Sequence, residues 1–169
     1  MKILLMRHLH PETLENSGVT FDAERPLSEE GKCHAEKISD FLKFTGLSPV
    51  KAICSPFKRS SETAEIIMKS FCLEDKVFCT TSIVPGSDLD DLLSVVSNNC
   101  DGDDQWMLAV LHEPDVSYIL RKLFQSDSFP QAVRSGALFA LDIDFVNQVP
   151  QASLVASYSP MTAELCQSC

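Results

Sequence analysis

The sequence predicts an α/β fold, a three-layer α/β/α sandwich with a mostly parallel central sheet and an antiparallel edge. Short apolar runs alternate with helical stripes through residue 124, which favours a parallel sheet with helices on both faces. Two further apolar runs, 137–143 and 153–158, suit antiparallel strands at a sheet edge. A chain of 169 residues is about one domain. We therefore predict one domain over residues 1–160 and a C-terminal tail over 161–169.

The elements are marked by signals at their ends. Ile3 to Met6 is an apolar run that stops at Arg7-His8, as expected of a buried strand that ends at a sheet edge. Ser28, followed by acidic residues, is typical of a helix start, and Gly46 is typical of a helix end. The alternation continues with a strand at 50–54, a helix from about 58, a strand at 77–81, a helix headed by 85–88, a strand at 106–111 and a helix that begins near Pro114.

Composition and charge exclude several classes of function. The formal net charge of -10, from 24 acidic and 14 basic side chains, disfavours nucleic acids and anionic membranes as partners. No apolar run approaches the ~20 residues that a membrane span requires, and the first residues are too short to form a signal-peptide core. The sequence therefore predicts a cytoplasmic protein; it does not indicate an oligomeric state.

The seven cysteines are scattered through the chain, which is typical of buried thiols in a reducing compartment. Cys166 and Cys169 form a Cys-x-x-Cys pair at the C-terminus, without a second pair to complete a metal site. His8 and His10 could face the same side of an extended segment, but no third ligand is identifiable. We therefore predict neither a metal nor another cofactor, and we interpret His10 and His34 as bystanders.

Three predicted strands end in residues suited to binding an anion. One ends at Arg7-His8, and another ends at His112. Because ligands of open α/β sheets lie beyond the carboxyl ends of the strands, these side chains should converge at one rim. The strand at 50–54 leads into a helix whose first turn carries Arg59. A helix N-terminus beside two guanidinium groups and an imidazole is suited to a tetrahedral phosphate.

The segments that carry this chemistry resemble the histidine phosphatase superfamily, with its phosphoglycerate mutase-like fold, over residues 1 to about 143. Within the superfamily, the short chain is most similar to the SixA-type phosphohistidine phosphatases. The resemblance rests on Arg7-His8 after the first strand, Arg25-Pro26-Leu27-Ser28 with Gly31, Ser55-Pro56-Phe57-Lys58-Arg59 with Glu62-Thr63-Ala64, and the late His112.

The resemblance implies that His8 attacks phosphorus and forms a phosphohistidine intermediate, while Arg7, Arg59 and His112 hold the phosphoryl oxygens. Physical chemistry agrees, since a neutral imidazole is the nucleophile and cations stabilise the phosphoryl oxygens. Neighbouring cations should lower the pKa of His8 and keep the ring neutral. Arg25 either lines the phosphate site or braces its loop; the sequence favours neither alternative.

Two features leave the chemistry open. Leu9 stands where the superfamily usually has Gly or Ala, so it could narrow the site or shift the backbone near the phosphate. The general acid is either Glu113 or Asp88, although both positions also suit an ordinary charge at a helix start. A weak signal for an acid favours a phosphohistidine substrate, because an imidazole leaves more readily than an alkoxide.

We therefore predict a metal-independent phosphatase that acts on phosphohistidine in a protein. The alternatives are a phosphatase for small phosphate esters, with Glu113 or Asp88 as the acid, and a non-catalytic phosphate-binding module in which Leu9 prevents attack.

Overall fold

A computed structural model describes residues 1–100, 102, 104–126 and 131–160. The predicted tail, with Cys166 and Cys169, lies outside these ranges. The strands are β1 (Lys2–Arg7), β2 (Pro49–Cys54), β3 (Val77–Cys79), β4 (Trp106–Leu111), β5 (Leu138–Val146) and β6 (Val149–Tyr158). The α-helices are α1 (Leu14–Ser17), α2 (Glu29–Thr45), α3 (Lys58–Lys69), α4 (Leu89–Asn99) and α5 (Asp115–Phe124).

The strands form one six-stranded sheet in the order β3-β2-β4-β1-β5-β6. The strands from β3 to β1 are parallel, whereas β5 pairs antiparallel with both β1 and β6. The predicted mostly parallel sheet with an antiparallel edge is therefore confirmed. β1 and β4 are adjacent, and Arg7 is aligned with Leu111. This register places His8 and His112, which directly follow these residues, at the same end of neighbouring strands.

Helices cover both faces of the sheet. The apolar side chains of α4 and α5 pack with Ile3 and Leu5 on one face, and those of α2 and α3 pack with Leu4 and Met6 on the other. Side chains alternate between the two faces of a strand, so a central strand buried on both sides must be apolar at every position. The continuous apolar runs in β1 and β4 follow from this requirement.

The predicted helix ends are confirmed at both ends of α2. The Ser28 hydroxyl accepts a hydrogen bond from Gly31 N, and α2 ends at Gly46 in the left-handed conformation with φ of 72°. Gly31 also allows a close approach, because a Cβ at this position would lie 2.4 Å from His10 O. The Arg-Pro-Leu-Ser segment is thereby held against the residues that follow β1.

The antiparallel edge is longer than the apolar runs predicted. β5 continues to Val146 and β6 begins at Val149, so only Asn147 and Gln148 form the turn. Both turn residues have positive φ, 51° and 66°, as a tight turn between right-twisted strands requires. No helix within the described residues is long and apolar enough to cross a membrane.

Candidate active site

An open pocket of about 580 Å³ lies beyond the carboxyl ends of β1 and β4. The structure brings six of the seven predicted site residues to its wall: Arg7, His8, Arg25, Arg59, His112 and Glu113. The other lining residues are His10, Pro11, Asp22, Phe57, Pro85 and Ser135. His10, predicted to be a bystander, therefore also lies at the edge of the pocket.

His8 is held in one tautomer by its hydrogen bonds. Its Nδ1 lies 2.7 Å from Leu9 O, and because a carbonyl only accepts, Nδ1 carries the proton. Its Nε2 then has a lone pair, which accepts a hydrogen bond from Arg59 Nε over 3.2 Å. Burial, and to a lesser degree His112, Arg59 and Arg7, lower the pKa of His8 to about 3. The ring is therefore neutral at pH 7, with its free electron pair at Nε2.

His112 lies beside His8, with 5.2 Å between the ring centroids. Its ring is almost fully buried, and neither nitrogen has a hydrogen-bond partner among the described residues. Burial, followed by the charge of Arg59, lowers the pKa of His112 to about 4. Buried polar groups in folded proteins are nearly always paired. Two unpaired nitrogens on a pocket wall are consistent with a ligand that supplies their partners.

Arg59 is fixed in the first turn of α3 by contacts on three sides. Its guanidinium lies 4.9 Å from the centre of the Phe57 ring, and its Nε donates to His8. Its Nη1 donates to Asp22 O over 2.8 Å and forms an ion pair with the Asp22 carboxylate at 3.0 Å. Asp22 thus neutralises part of the positive charge of Arg59 that would otherwise attract an anionic ligand.

Arg7 and Arg25 line the pocket and also hold neighbouring backbone segments in place. Arg7 Nη1 donates to Val133 O over 2.6 Å, while its buried Nε has no partner among the described residues. Arg25 Nε donates to Glu12 O over 2.6 Å, and Arg25 Nη1 pairs with Asp22 at 2.8 Å. Both alternatives for Arg25 therefore apply, because it lines the pocket and also ties its loop together.

Only one carboxylate oxygen of Glu113 has hydrogen-bond partners among the described residues. Its Oε1 accepts hydrogen bonds from the Ser117 hydroxyl and from Val133 N, the latter at 3.3 Å. Its Oε2 is buried and has no partner among the described residues. A carboxyl group positioned in this way can exchange a proton with a ligand in the pocket.

The prediction that Asp88 supplies a general acid is not supported by its position, because Asp88 does not line the pocket. Its carboxylate accepts hydrogen bonds from Asp90 N and Asp91 N and forms a capping box at the start of α4. The competing interpretation as a helix-start charge is the one that the structure shows.

Leu9 does not narrow the pocket. Its side chain is fully buried in the core beneath α2 and α3. A Cβ on Gly136 would lie 2.9 Å from Leu9 Cδ2, so the glycine leaves the space that Leu9 fills. Leu9 N donates to the Thr63 hydroxyl over 3.1 Å, and its carbonyl orients His8. The expectation that Leu9 could narrow the site is therefore wrong.

Sequence reasoning missed two contributors to the site. Asp22 lies in the polar segment 11–24, and its only sequence signal is its spacing of three residues from Arg25. Glu62 was recognised only as part of a resemblance, yet its carboxylate accepts a hydrogen bond from Leu27 N over 2.7 Å and anchors the Arg-Pro-Leu-Ser segment to α3. Within the described ranges, no group of three or more His, Cys, Asp or Glu side chains could hold a metal ion.

The family model of the histidine phosphatase superfamily (branch 1) matches residues 3–76. This match contains Arg7, His8, Arg25 and Arg59. The predicted resemblance to the histidine phosphatase superfamily is confirmed. No curated protein matches the chain.

Solved structures show the same likeness over nearly the whole chain. The protein histidine phosphatase SixA complexed with tungstate has a TM-score of 0.78 at 19% identity, covering 95% of this chain and 97% of that one. A protein from Agrobacterium tumefaciens named as phosphohistidine phosphatase SixA has a TM-score of 0.75 at 20% identity, covering 94% and 98%.

A mycobacterial glucosyl-3-phosphoglycerate phosphatase complexed with VO3 has a TM-score of 0.68 at 13% identity, covering 94% and 99%. At these identities the structural likeness shows the fold. The family match over residues 3–76 is the finding that points to a phosphatase.

Proposed function

We propose that the protein is a metal-independent phosphatase that hydrolyses phosphohistidine on a protein through a covalent intermediate on His8. The observation that carries this proposal is the lone pair of His8 Nε2, which lies in a pocket lined by Arg7, Arg25 and Arg59. A nucleophile among three guanidinium groups suits attack on a phosphoryl group and little else.

The reaction follows from this geometry in two displacements. His8 Nε2 forms a bond to phosphorus while the bond to the leaving nitrogen breaks, and the leaving imidazole takes up a proton. Water then attacks the phosphorus on His8, and orthophosphate is released. Arg59 and Arg7 stabilise the charge on the phosphoryl oxygens in both steps. The hydrogen bond from Arg59 Nε to His8 must give way when phosphate enters, since the same lone pair forms the new bond.

The substrate class is inferred from the access to the pocket and from the acid. Between residues 59 and 112 the described chain forms α3, β3, α4, β4 and short turns, without a separate lid domain. An open pocket can admit a side chain that projects from a protein, whereas sites for small molecules usually bury most of their ligand. A phosphohistidine also needs little acid assistance.

A phosphatase for small phosphate esters remains the alternative, and one observation favours it. Glu113 lines the pocket and its Oε2 has no partner among the described residues, so its carboxyl group could serve an alkoxide leaving group as general acid. The other alternative, a non-catalytic module, loses support because the Leu9 side chain lies in the core and does not enter the pocket.

Replacement of Glu113 by Gln distinguishes the two substrate classes. We expect Glu113→Gln to lower kcat on a phosphohistidine protein by less than about tenfold, because that leaving group needs little help, whereas loss of a required acid costs about 10²-fold or more. Steady-state kinetics on a phosphohistidine protein and on a panel of phosphate esters measure this difference. Asp88→Asn is the matched control, since it changes an acid outside the pocket.

If the wild type favours an ester and Glu113→Gln abolishes that activity, the protein is an ester phosphatase. A large loss on phosphohistidine itself would contradict the limited role given to Glu113.

Removal of the Asp22 charge should strengthen phosphate binding. The carboxylate competes for Arg59 and Arg25, and it is partly exposed, so its effect should be modest. We expect Asp22→Asn to lower the dissociation constant of orthophosphate by about threefold to fivefold. Isothermal titration calorimetry measures this dissociation constant, with Glu24→Gln in the same loop as the control. Weaker binding by Asp22→Asn would show that Asp22 chiefly orders the arginines.

Phosphate binding should protonate His112. The pKa of His112 is about 4 because of burial and the charge of Arg59, so the ring is neutral at pH 6. A bound dianion favours the imidazolium, and we expect the pKa of His112 to rise when phosphate binds. The chemical shift of His112, followed by NMR from pH 4 to 8 with and without orthophosphate, reports this change. An unchanged titration would mean that His112 does not contact the anion.

A further inference from the structure

We propose that Cys54 and Cys79 form a reversible disulfide when the folded protein reacts with a hydroperoxide. Cys54 ends β2, Cys79 ends β3, and the two residues are direct partners in the parallel pairing of these strands. Their Sγ atoms are already 3.3 Å apart. The sulfurs of a disulfide lie about 2.05 Å apart, so a movement of little more than about 1 Å closes the bond.

The two thiols differ in exposure, which sets the order in which they react. Cys79 is exposed, whereas Cys54 is fully buried. Burial, together with the hydrogen bond to Cys79, raises the pKa of Cys54. Cys79 is thus the thiol that an oxidant can reach first, and Cys54 is the partner behind it.

The surroundings of Cys79 favour a small uncharged oxidant. A cavity of about 570 Å³ beside Cys79 is lined by Glu65, Lys69 and Glu74. Two carboxylates against one ammonium disfavour anionic reagents such as glutathione disulfide, and they do not hinder hydrogen peroxide.

The oxidation balances in two steps. The Cys79 thiolate attacks one peroxide oxygen, the O–O bond breaks, hydroxide leaves and a sulfenic acid remains. Cys54 Sγ then attacks the Cys79 sulfur and loses its proton, and the sulfenic oxygen leaves as water. Two thiols and one hydrogen peroxide give one disulfide and two water molecules, and a thiol reductant restores the starting state.

The bond would fasten a weakly held edge of the sheet. β3 has three residues and pairs with β2 alone, at the end of the sheet. The cross-link would replace a sulfur contact by a covalent bond at the last position of this ladder, where Thr80 N donates to Cys54 O over 2.9 Å. This inference is independent of the proposed phosphatase activity.

Peptide mapping of the folded protein tests the proposal. The reduced protein, with Cys166→Ser and Cys169→Ser to remove competing thiols, is treated with hydrogen peroxide and quenched with N-ethylmaleimide. After proteolysis without reductant, we expect mass spectrometry to find a peptide that joins Cys54 to Cys79 and is two hydrogens lighter than its parts. Cys79→Ser should abolish this peptide. Cys33→Ser, a change at another exposed cysteine, should leave it unchanged.

The reductant tris(2-carboxyethyl)phosphine should release the two peptides. The proposal is wrong if Cys79 is recovered as sulfinic or sulfonic acid while Cys54 remains a free thiol. It is also wrong if Cys79 is linked to Cys33, Cys72 or Cys100 in preference to Cys54. Cys54→Ala provides a second test if Cys79→Ser reacts elsewhere, because Cys79 should then stop at the sulfenic acid or beyond.

Discussion

Replacement of His8 by Ala is expected to lower kcat by at least about 10³-fold, because it removes the lone pair that attacks phosphorus in the proposed mechanism. The lone pair of His8 Nε2 is oriented by the hydrogen bond between Nδ1 and Leu9 O, and the low pKa keeps the ring neutral. Two further imidazoles line the pocket: the His112 ring is expected to hold phosphoryl oxygens, and His10 Nδ1 lies 3.3 Å from the Ser28 hydroxyl at the pocket edge. Phosphate release under saturating substrate measures the loss.

Two comparisons make this prediction specific to His8. His34→Ala, a change on α2 outside the pocket, should keep wild-type kcat. The wild type, quenched during turnover of a labelled substrate, should carry an alkali-stable and acid-labile phosphoryl group that peptide mapping assigns to His8. Turnover by His8→Ala within about tenfold of the wild type, or a label on another residue, would contradict the nucleophile.

The second large effect is expected from Arg59→Ala. This change removes the donor to His8 Nε2, the ion pair with Asp22 and a cation of the pocket wall. Loss of one preorganised donor to a transition state typically costs 10²–10³ in kcat, and we expect a fall of about this size. The dissociation constant of orthophosphate should rise as well, since Arg59 holds the ground state too.

Arg59→Lys and Lys58→Ala are the matched controls for this effect. Arg59→Lys keeps the charge but loses the planar fork that contacts His8 and Asp22 together, so it should recover only part of the activity. Lys58→Ala removes an exposed neighbouring cation whose ion pair with Glu62 is 3.4 Å long, and it should have little effect. Equal losses from both alanine variants would mean that net charge, rather than the position of Arg59, governs activity.

The convergence of His8 and His112 could be predicted from the sequence because it depends on strand ends alone. β1 contains the apolar run 3–6, which stops directly before Arg7-His8, and β4 is the apolar run 106–111, which stops directly before His112. Once both runs are interpreted as parallel central strands, their ends must meet at one edge of the sheet. The two ends of α2 were equally predictable from nearby residues. The Ser28 hydroxyl accepts a hydrogen bond from Gly31 N, and Gly46 adopts the left-handed backbone that ends the helix.

The contacts that the sequence did not reveal depend on the path of the loops. Asp22 reaches Arg59 across 37 positions of the chain, and no local spacing predicts such an approach. Asp88 is an acidic residue that could serve as a pocket acid, but its carboxylate accepts backbone hydrogen bonds at the start of α4 instead. Whether Leu9 would narrow the site could not be predicted, because its side chain lies in the core in space left by Gly136, a residue far away in the sequence.

The most direct test of the central claim is the loss of label from a histidine-phosphotransfer domain that carries phosphohistidine. The domain is incubated with the wild type or with His8→Ala, in the presence of EDTA. We expect rapid release of orthophosphate by the wild type alone, at a rate that EDTA does not change. Retention of the label with the wild type, release by both proteins, or loss of the wild-type activity with EDTA would contradict a metal-independent phosphohistidine phosphatase that acts through His8.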